Sequence, residues 1–124
     1  MSNAEQVVDA FLAAFDRLDP DELAGYFAED GVYHSMPLEP IVGQQRIRAY
    51  FAQFLERFTS MRFTVHHQAV SPRGDVIFNE RTDSVTPRTG KAVDIPVVGV
   101  FEIRDGLIVA WRDYFDLAAV RDAP

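Results

Sequence analysis

The sequence predicts an α+β domain in which helices pack on one face of a curved antiparallel β-sheet. Three observations carry this reading. Apolar residues recur at helical spacing through the first half of the chain; after Thr59 the period switches to two; and the second half is punctuated by the turn signals Ser71-Pro72-Arg73-Gly74-Asp75 and Asp105-Gly106. A chain of 124 residues with 48% hydrophobic residues and ten phenylalanines has the size and core material for one domain spanning residues 1–124.

The elements follow in order. Val7, Phe11, Ala14, Phe15 and Leu18 share one helical face. Asp19-Pro20 then supplies an N-cap and a first-turn proline for a second, short helix that buries Leu23, Tyr26 and Phe27, with Glu29-Asp30-Gly31 as the turn that ends it. Residues 31–35 read as a short strand, and Met36-Pro37-Leu38-Glu39-Pro40 cannot continue a ladder because each proline removes a donor. From Gly43 the helical period returns, with Ile47, Tyr50, Phe51, Phe54 and Phe58 forming a wide stripe. Four strands follow. In the first, Met61, Phe63, Val65, His67 and Ala69 alternate with Arg62, Thr64, His66 and Gln68. The second runs over 76–85, the third ends near Ile103, and the fourth covers Leu107 to Phe115 after a two-residue Asp-Gly hairpin. The Arg73-Gly74-Asp75 triplet belongs to turn chemistry.

Composition excludes several functions. A net charge of −7 with no basic cluster argues against nucleic-acid and anionic-membrane partners. The chain has no cysteine, hence no disulfide, thiolate nucleophile or cysteine metal site. No apolar run approaches the ~20 residues of a membrane span, and the N-terminus shows no basic and apolar signal regions; a cytoplasmic protein is expected. His66 and His67 are adjacent in a strand and face opposite ways, so with His34 they make no shared metal site. No metal and no cofactor are expected.

The sharpest signal is polar residues where the alternation calls for apolar ones. In the last strand Asp113 falls in the set Leu107, Val109, Trp111, Asp113 and Phe115. A carboxylate on that face needs strong partners or a raised pKa. In the 76–85 strand both sets are mixed: Ile77, Asn79, Arg81, Asp83 and Val85 against Val76, Phe78, Glu80, Thr82 and Ser84. Parity does not choose between them. If the first set faces inward, Arg81 and Asp83 enter the interior that holds Asp113, and one arginine can grip both carboxylates without forcing them together. Such a group serves either as a structural ion-pair network or as a site at the mouth of an apolar pocket.

Here the chain resembles a known family. Val98-Gly99-Val100-Phe101-Glu102-Ile103-Arg104-Asp105-Gly106, followed by Ile108-Val109-Ala110-Trp111-Arg112-Asp113-Tyr114-Phe115-Asp116, is similar to the C-terminal signature of the limonene-1,2-epoxide hydrolase family. Glu80-Arg81-Thr82-Asp83 resembles its Arg-x-Asp strand, and Gly31-Val32-Tyr33-His34-Ser35-Met36-Pro37-Leu38 its first-strand motif, which normally reads Tyr-x-Asn. The resemblance covers nearly the whole chain. It implies the cone of the nuclear transport factor 2-like, or SnoaL-like, superfamily (a cystatin-like roll): a curved sheet packed against three to four helices from the N-terminal half. It also implies direct addition of water to a lipophilic epoxide. Asp113 would be the base, Tyr33 and Ser35 would orient the water, Asp83 would be the protonated acid, and Arg81 would bridge the aspartates. Trp111, Met36, Ile95, Val98 and Phe115 would line the substrate pocket, and a homodimer would form through the outer sheet face. Opening an epoxide needs a base for the water and an acid for the departing oxygen, and two carboxylates sharing an arginine can hold different protonation states. Two alternatives stay open: a proton-transfer isomerase or cyclase of the same superfamily, against which stands Ser35 where such isomerases carry an Asp base, and a non-catalytic carrier of small ligands.

Overall fold

The computed structural model describes residues 2–118. Helix α1 (Asn3–Ala14) opens on a capping box, in which Ser2 Oγ accepts from Glu5 N–H and the Glu5 carboxylate accepts from Ser2 N–H. A 3₁₀ turn (Phe15–Arg17) continues it, and Leu18 then takes a left-handed φ of 51° that reverses the chain. In α2 (Pro20–Ala24), Asp19 Oδ1 accepts from the N–H groups of Asp21 and Glu22, and Pro20 occupies the first turn. The sequence placed Tyr26 and Phe27 on this helix and a turn at Glu29-Asp30-Gly31. Instead the helix stops at Ala24 and β1 (Phe27–Ser35) begins at once. The turn-forming residues appear as an irregularity inside the strand: Phe27 faces Ile108 and Val32 faces Ala110, so residues 28–31 are accommodated opposite Val109.

A two-residue strand β2 (Ile41–Val42) follows the proline-rich stretch and pairs with Val32 and Tyr33. Helix α3 (Gln44–Phe54) and a 3₁₀ turn (Leu55–Arg57) lead into β3 (Phe58–Val70), β4 (Val76–Pro87), β5 (Val93–Arg104) and β6 (Leu107–Tyr114). The sheet order is β2-β1-β6-β5-β4-β3. Every pairing is antiparallel except β1 with β6, which is parallel. Hairpin connections force the antiparallel pairs; β1 and β6 are separated by most of the chain and carry no such constraint. Asp105 and Gly106 have φ of 53° and 76°, the two positive values a type I′ turn requires.

Two bulges overturn the simple alternation. Val65 faces Arg81 and His67 faces Glu80, so His66 is an extra residue; beyond it the inward set changes from Met61 and Phe63 to Gln68 and Val70, while Val65, His67 and Ala69 stay exposed. In β6, Ile108 faces Ile103 and Ala110 faces Glu102, which makes Val109 the extra residue. Leu107 is therefore exposed and Ile108 buried, and Asp113 shares its inner face with Trp111 rather than with Leu107 and Val109. The core gathers between helices and sheet around Phe11, whose ring meets those of Phe15, Phe27, Phe101 and Trp111 edge-on at 5.0–6.4 Å.

Candidate active site

The inner face of β4 is the Ile77, Asn79, Arg81, Asp83, Val85 set, all of it buried. This resolves the ambiguity parity left open and brings Arg81 and Asp83 under Asp113 of β6. Parallel pairing places Tyr33 of β1 beside Trp111 and Ser35 beside Asp113. All five polar candidates, Tyr33, Ser35, Arg81, Asp83 and Asp113, thus converge.

Arg81 is fully enclosed and uses every nitrogen of its guanidinium. Nε donates to Asp83 Oδ1 at 2.7 Å; Nη2 donates to Asp83 Oδ2 at 3.2 Å and to Asp113 Oδ2 at 2.5 Å; Nη1 donates to Asn79 Oδ1 at 3.3 Å. The rings of Phe63 and Trp111 lie 5.3 and 5.8 Å from its central carbon. Trp111 also donates its indole N–H to Asp113 Oδ1 at 2.7 Å, so both oxygens of Asp113 accept. Ser35 Oγ donates to the Tyr33 hydroxyl at 2.9 Å, and Tyr33 stacks on Trp111 with centroids 4.3 Å apart. Among the described residues no buried side-chain nitrogen or oxygen lacks a partner.

Residues that sequence reasoning did not single out hold this group in place. Asn79 Nδ2 donates to Gln68 Oε1 at 3.2 Å, and Gln68 Nε2 donates to Glu5 Oε2 at 3.3 Å and Asp9 Oδ1 at 3.2 Å. Carboxylates on α1 can only accept here, so they turn the Gln68 amide, which turns the Asn79 amide, which presents its oxygen to Arg81. Asn79 was legible on the same strand parity as Arg81; Gln68 was hidden by the bulge at His66. Gly99 is the second hidden support. It lies in register between Asn79 and Asp113. A Cβ there would sit 2.5 Å from Arg81 Nη1, 2.9 Å from Asp113 Oδ1 and 3.1 Å from Asn79 Oδ1. A glycine lets the guanidinium lie against the sheet.

The electrostatics follow from one cation serving two carboxylates away from water. Burial pushes Asp83 up to about 6, with Arg81 opposing it. Burial also raises Asp113, against Arg81 and the Trp111 N–H. Burial works against the charge on Arg81, but the two aspartates outweigh it and hold its pKa above the ordinary value. Tyr33 lies well above the usual phenol range, first through burial and then through the charge of Asp113, and so stays a neutral hydroxyl.

This polar floor closes a cavity of about 590 Å³. Ile95, Trp111 and Phe115 line it as expected, together with Phe54, Met61 and Phe63. Two expected lining residues do not. Val98 points from the opposite face of β5 and is 45% exposed, while its neighbour Val97, 4% exposed, takes the inner position. Met36 is missing from the wall; its backbone N–H donates to the Asp113 carbonyl at 2.8 Å, and Leu38 supplies the apolar surface instead. His34 contacts the Leu38 carbonyl and His66 the Thr82 hydroxyl, each outside the polar floor. Among the described residues no group of three or more His, Asp or Glu side chains is placed to hold a metal ion, and no helix is long and apolar enough to cross a membrane.

Among the described residues, a curved six-stranded sheet wrapped on three helices, with a polar group at the base of an apolar cavity, defines the nuclear transport factor 2-like class of fold. Residues 8–111 match the model of the SnoaL-like domain, and the chain belongs to that family. It is 33% identical over 110 residues to epoxide hydrolase EphG of Mycobacterium tuberculosis, covering 89% of this chain and 71% of that protein. Among solved structures it is similar to an LEH-like epoxide hydrolase of M. tuberculosis, with a TM-score of 0.83 and 30% identity over 97% of this chain and 87% of that one. The epoxide hydrolase/cyclase-like enzyme SalBIII, of pyran ring formation in the polyether salinomycin, shares the fold at a TM-score of 0.82 with 16% identity, over 94% of this chain and 92% of that one. The chain is thus an epoxide hydrolase-like homologue within a superfamily whose members differ in reaction.

Proposed function

We propose that this protein is an epoxide hydrolase that adds water in one step to a lipophilic 1,2-epoxide and releases a vicinal diol. The observation that carries the reading is the single guanidinium of Arg81 gripping two buried carboxylates at the base of an apolar cavity. One positive charge facing two acids in a dry site favours a total of one proton on the pair. Asp113 is the ionised partner, since its two oxygens accept short hydrogen bonds from two different donors, Arg81 at 2.5 Å and the Trp111 indole at 2.7 Å. Asp83 carries the proton; its Oδ2 has only a long contact to Arg81, and the residue faces the cavity.

In this mechanism a water held by Asp113, Tyr33 and Ser35 gives a proton to Asp113 as its oxygen attacks an epoxide carbon. The carbon–oxygen bond breaks, and Asp83 protonates the leaving oxygen. Turnover ends with the proton on Asp113 and the charge on Asp83; exchange with solvent resets them. Ser35 keeps its lone pairs free for the water while donating to Tyr33. No metal and no cofactor enter. The same reading takes residues 1–124 as one domain that acts as a cytoplasmic homodimer, paired through the outer sheet face where Phe78, Val98 and Tyr114 are half-exposed; light scattering checks the dimer.

The experiment is incubation with a panel of cyclic terpene and lipid epoxides, with diols detected by mass spectrometry. Diol from at least one epoxide, lost in Asp113→Asn, is the expected result. Ring closure or double-bond migration without diol would favour the cyclase or isomerase alternative, and ligand retention without any conversion a carrier.

A further inference from the structure

We infer that Arg57 and Arg88 form an anion subsite at the rim of the cavity, which takes the carboxylate of an epoxy acid whose apolar chain runs down to the floor. What happens to the epoxide rests on the hydrolase reading above; capture of the carboxylate rests on separate residues.

Among the described residues, the charged ones in the cavity wall fall into two sets of opposite sign: Asp83 and Asp113, and Arg57 and Arg88. The strands place them at opposite ends. Arg88 follows Pro87, the last residue of β4, and stands five residues beyond Asp83, a span of roughly 16 Å at about 3.3 Å per residue. Arg57 stands just before β3, and its carbonyl accepts the Arg88 N–H at 2.9 Å, so the two arginines are backbone neighbours at this end of the cavity. Phe54, Phe58, Met61, Val85 and Ile95 supply apolar wall.

The rim is also pre-oriented. Arg88 Nε donates to the Glu56 carbonyl at 2.6 Å, which fixes the guanidinium and leaves its terminal nitrogens without a protein partner among the described residues. Like Arg46, Arg62, Arg73, Lys91 and Arg104, Arg57 and Arg88 pair with no carboxylate among the described residues, but they alone of these stand in the cavity wall. In a chain of net charge −7, two adjacent cations at a cavity mouth create a local field opposite to that of the whole. A planar fork at the end of an apolar channel suits a carboxylate on an aliphatic chain. A neutral epoxide would leave it unused.

The test separates binding from turnover. In Asp113→Asn, an environment-sensitive fluorophore is displaced from the cavity by palmitate and by methyl palmitate, neither of which can react. Palmitate should bind at least about tenfold more tightly at low ionic strength, and the preference should shrink with added salt. Arg57→Gln/Arg88→Gln should bring acid and ester near parity, and Arg57→Glu/Arg88→Glu should reverse the order; both side chains are exposed, and circular dichroism checks that the fold is kept. Equal binding of acid and ester, or a preference that survives the double variants, overturns the subsite. Turnover of a mid-chain epoxy fatty acid and its methyl ester then distinguishes the two readings. Acid preference in binding with no diol from any epoxide keeps the subsite and sinks the hydrolase; diol formation with no acid preference does the opposite.

Discussion

Two arginine–carboxylate groups in this molecule have comparable bond geometry and opposite significance. Arg17 grips Glu22 with two nitrogens, at 2.6–3.1 Å, on the exposed side of the first two helices. Arg81 grips Asp83 and Asp113 at similar distances inside the sheet. Water shares the first pair, so Glu22 is simply held below its usual carboxylate range by Arg17. Water is excluded from the second, burial raises both aspartates, and one cation must serve two acids. Distance makes an ion pair; burial and an odd count of charges make a site that can hold and release a proton.

The contrast breaks first at the aspartates. Asp113→Asn and Asp83→Asn should each lower kcat for diol formation by at least on the order of 10²-fold, the usual worth of general acid–base help. Near-normal turnover in either would reduce the buried group to a structural network like its surface counterpart. Gly99→Ala comes next. Its Cβ would overlap Arg81 Nη1 and crowd Asp113 and Asn79, which are hydrogen-bonded to that arginine, so the guanidinium must move. Destabilisation of about 1–3 kcal/mol in denaturant titration is expected, with a kcat loss on the order of tenfold from misplaced acids.

The pH dependence sharpens the same comparison. Asp83 has a folded value of about 6 against an ordinary 3.8, so between these limits the folded state binds more protons than the unfolded one. Its contribution is then favourable at low pH and is lost as pH rises from about 4 to 6, by up to about 3 kcal/mol. Asp83→Asn should flatten that fall in stability, while Glu22→Gln should leave it in place. The rate should follow the same proton: kcat/KM falls on the alkaline side with a midpoint near 6 as Asp83 ionises, and on the acid side as Asp113 protonates. The smallest effect concerns Ser35, which reaches less far than the Asn of the limonene-1,2-epoxide hydrolase motif that this strand resembles and spends its proton on Tyr33. Ser35→Asn should raise kcat a few-fold on a small cyclic epoxide by holding the water more firmly. A folded variant that is slower on every epoxide tested would remove that role from Ser35.

How much of this was legible in the residues depended on whether a strand kept its alternation. In β4 it did, and Asn79, Arg81 and Asp83 could be read as one face even before that face was known to be the inner one. In β3 and β6 single extra residues, His66 and Val109, shift every later side chain to the other face, and no local signal announces them. Gln68 was therefore missed as a support of the site, and Leu107 was placed beside Asp113 wrongly. Val98 was assigned to the pocket by likeness rather than by parity, and the pleat puts Val97 there. Gly99 carried no signal because its importance lies in the Arg81 side chain, which reaches it from the neighbouring strand two residues away in register. The Asp19-Pro20 and Asp105-Gly106 signals, which depend only on their own backbone, held.

A single turnover in ¹⁸O-labelled water tests the central claim most directly. With enzyme in excess over epoxide, direct attack by an Asp113-activated water places the label in the diol at the first turnover and leaves the Asp113 carboxylate unlabelled in the recovered peptide. Label in Asp113, with unlabelled oxygen passed to the diol, would mean that the aspartate itself attacks carbon, and the one-step account would fall.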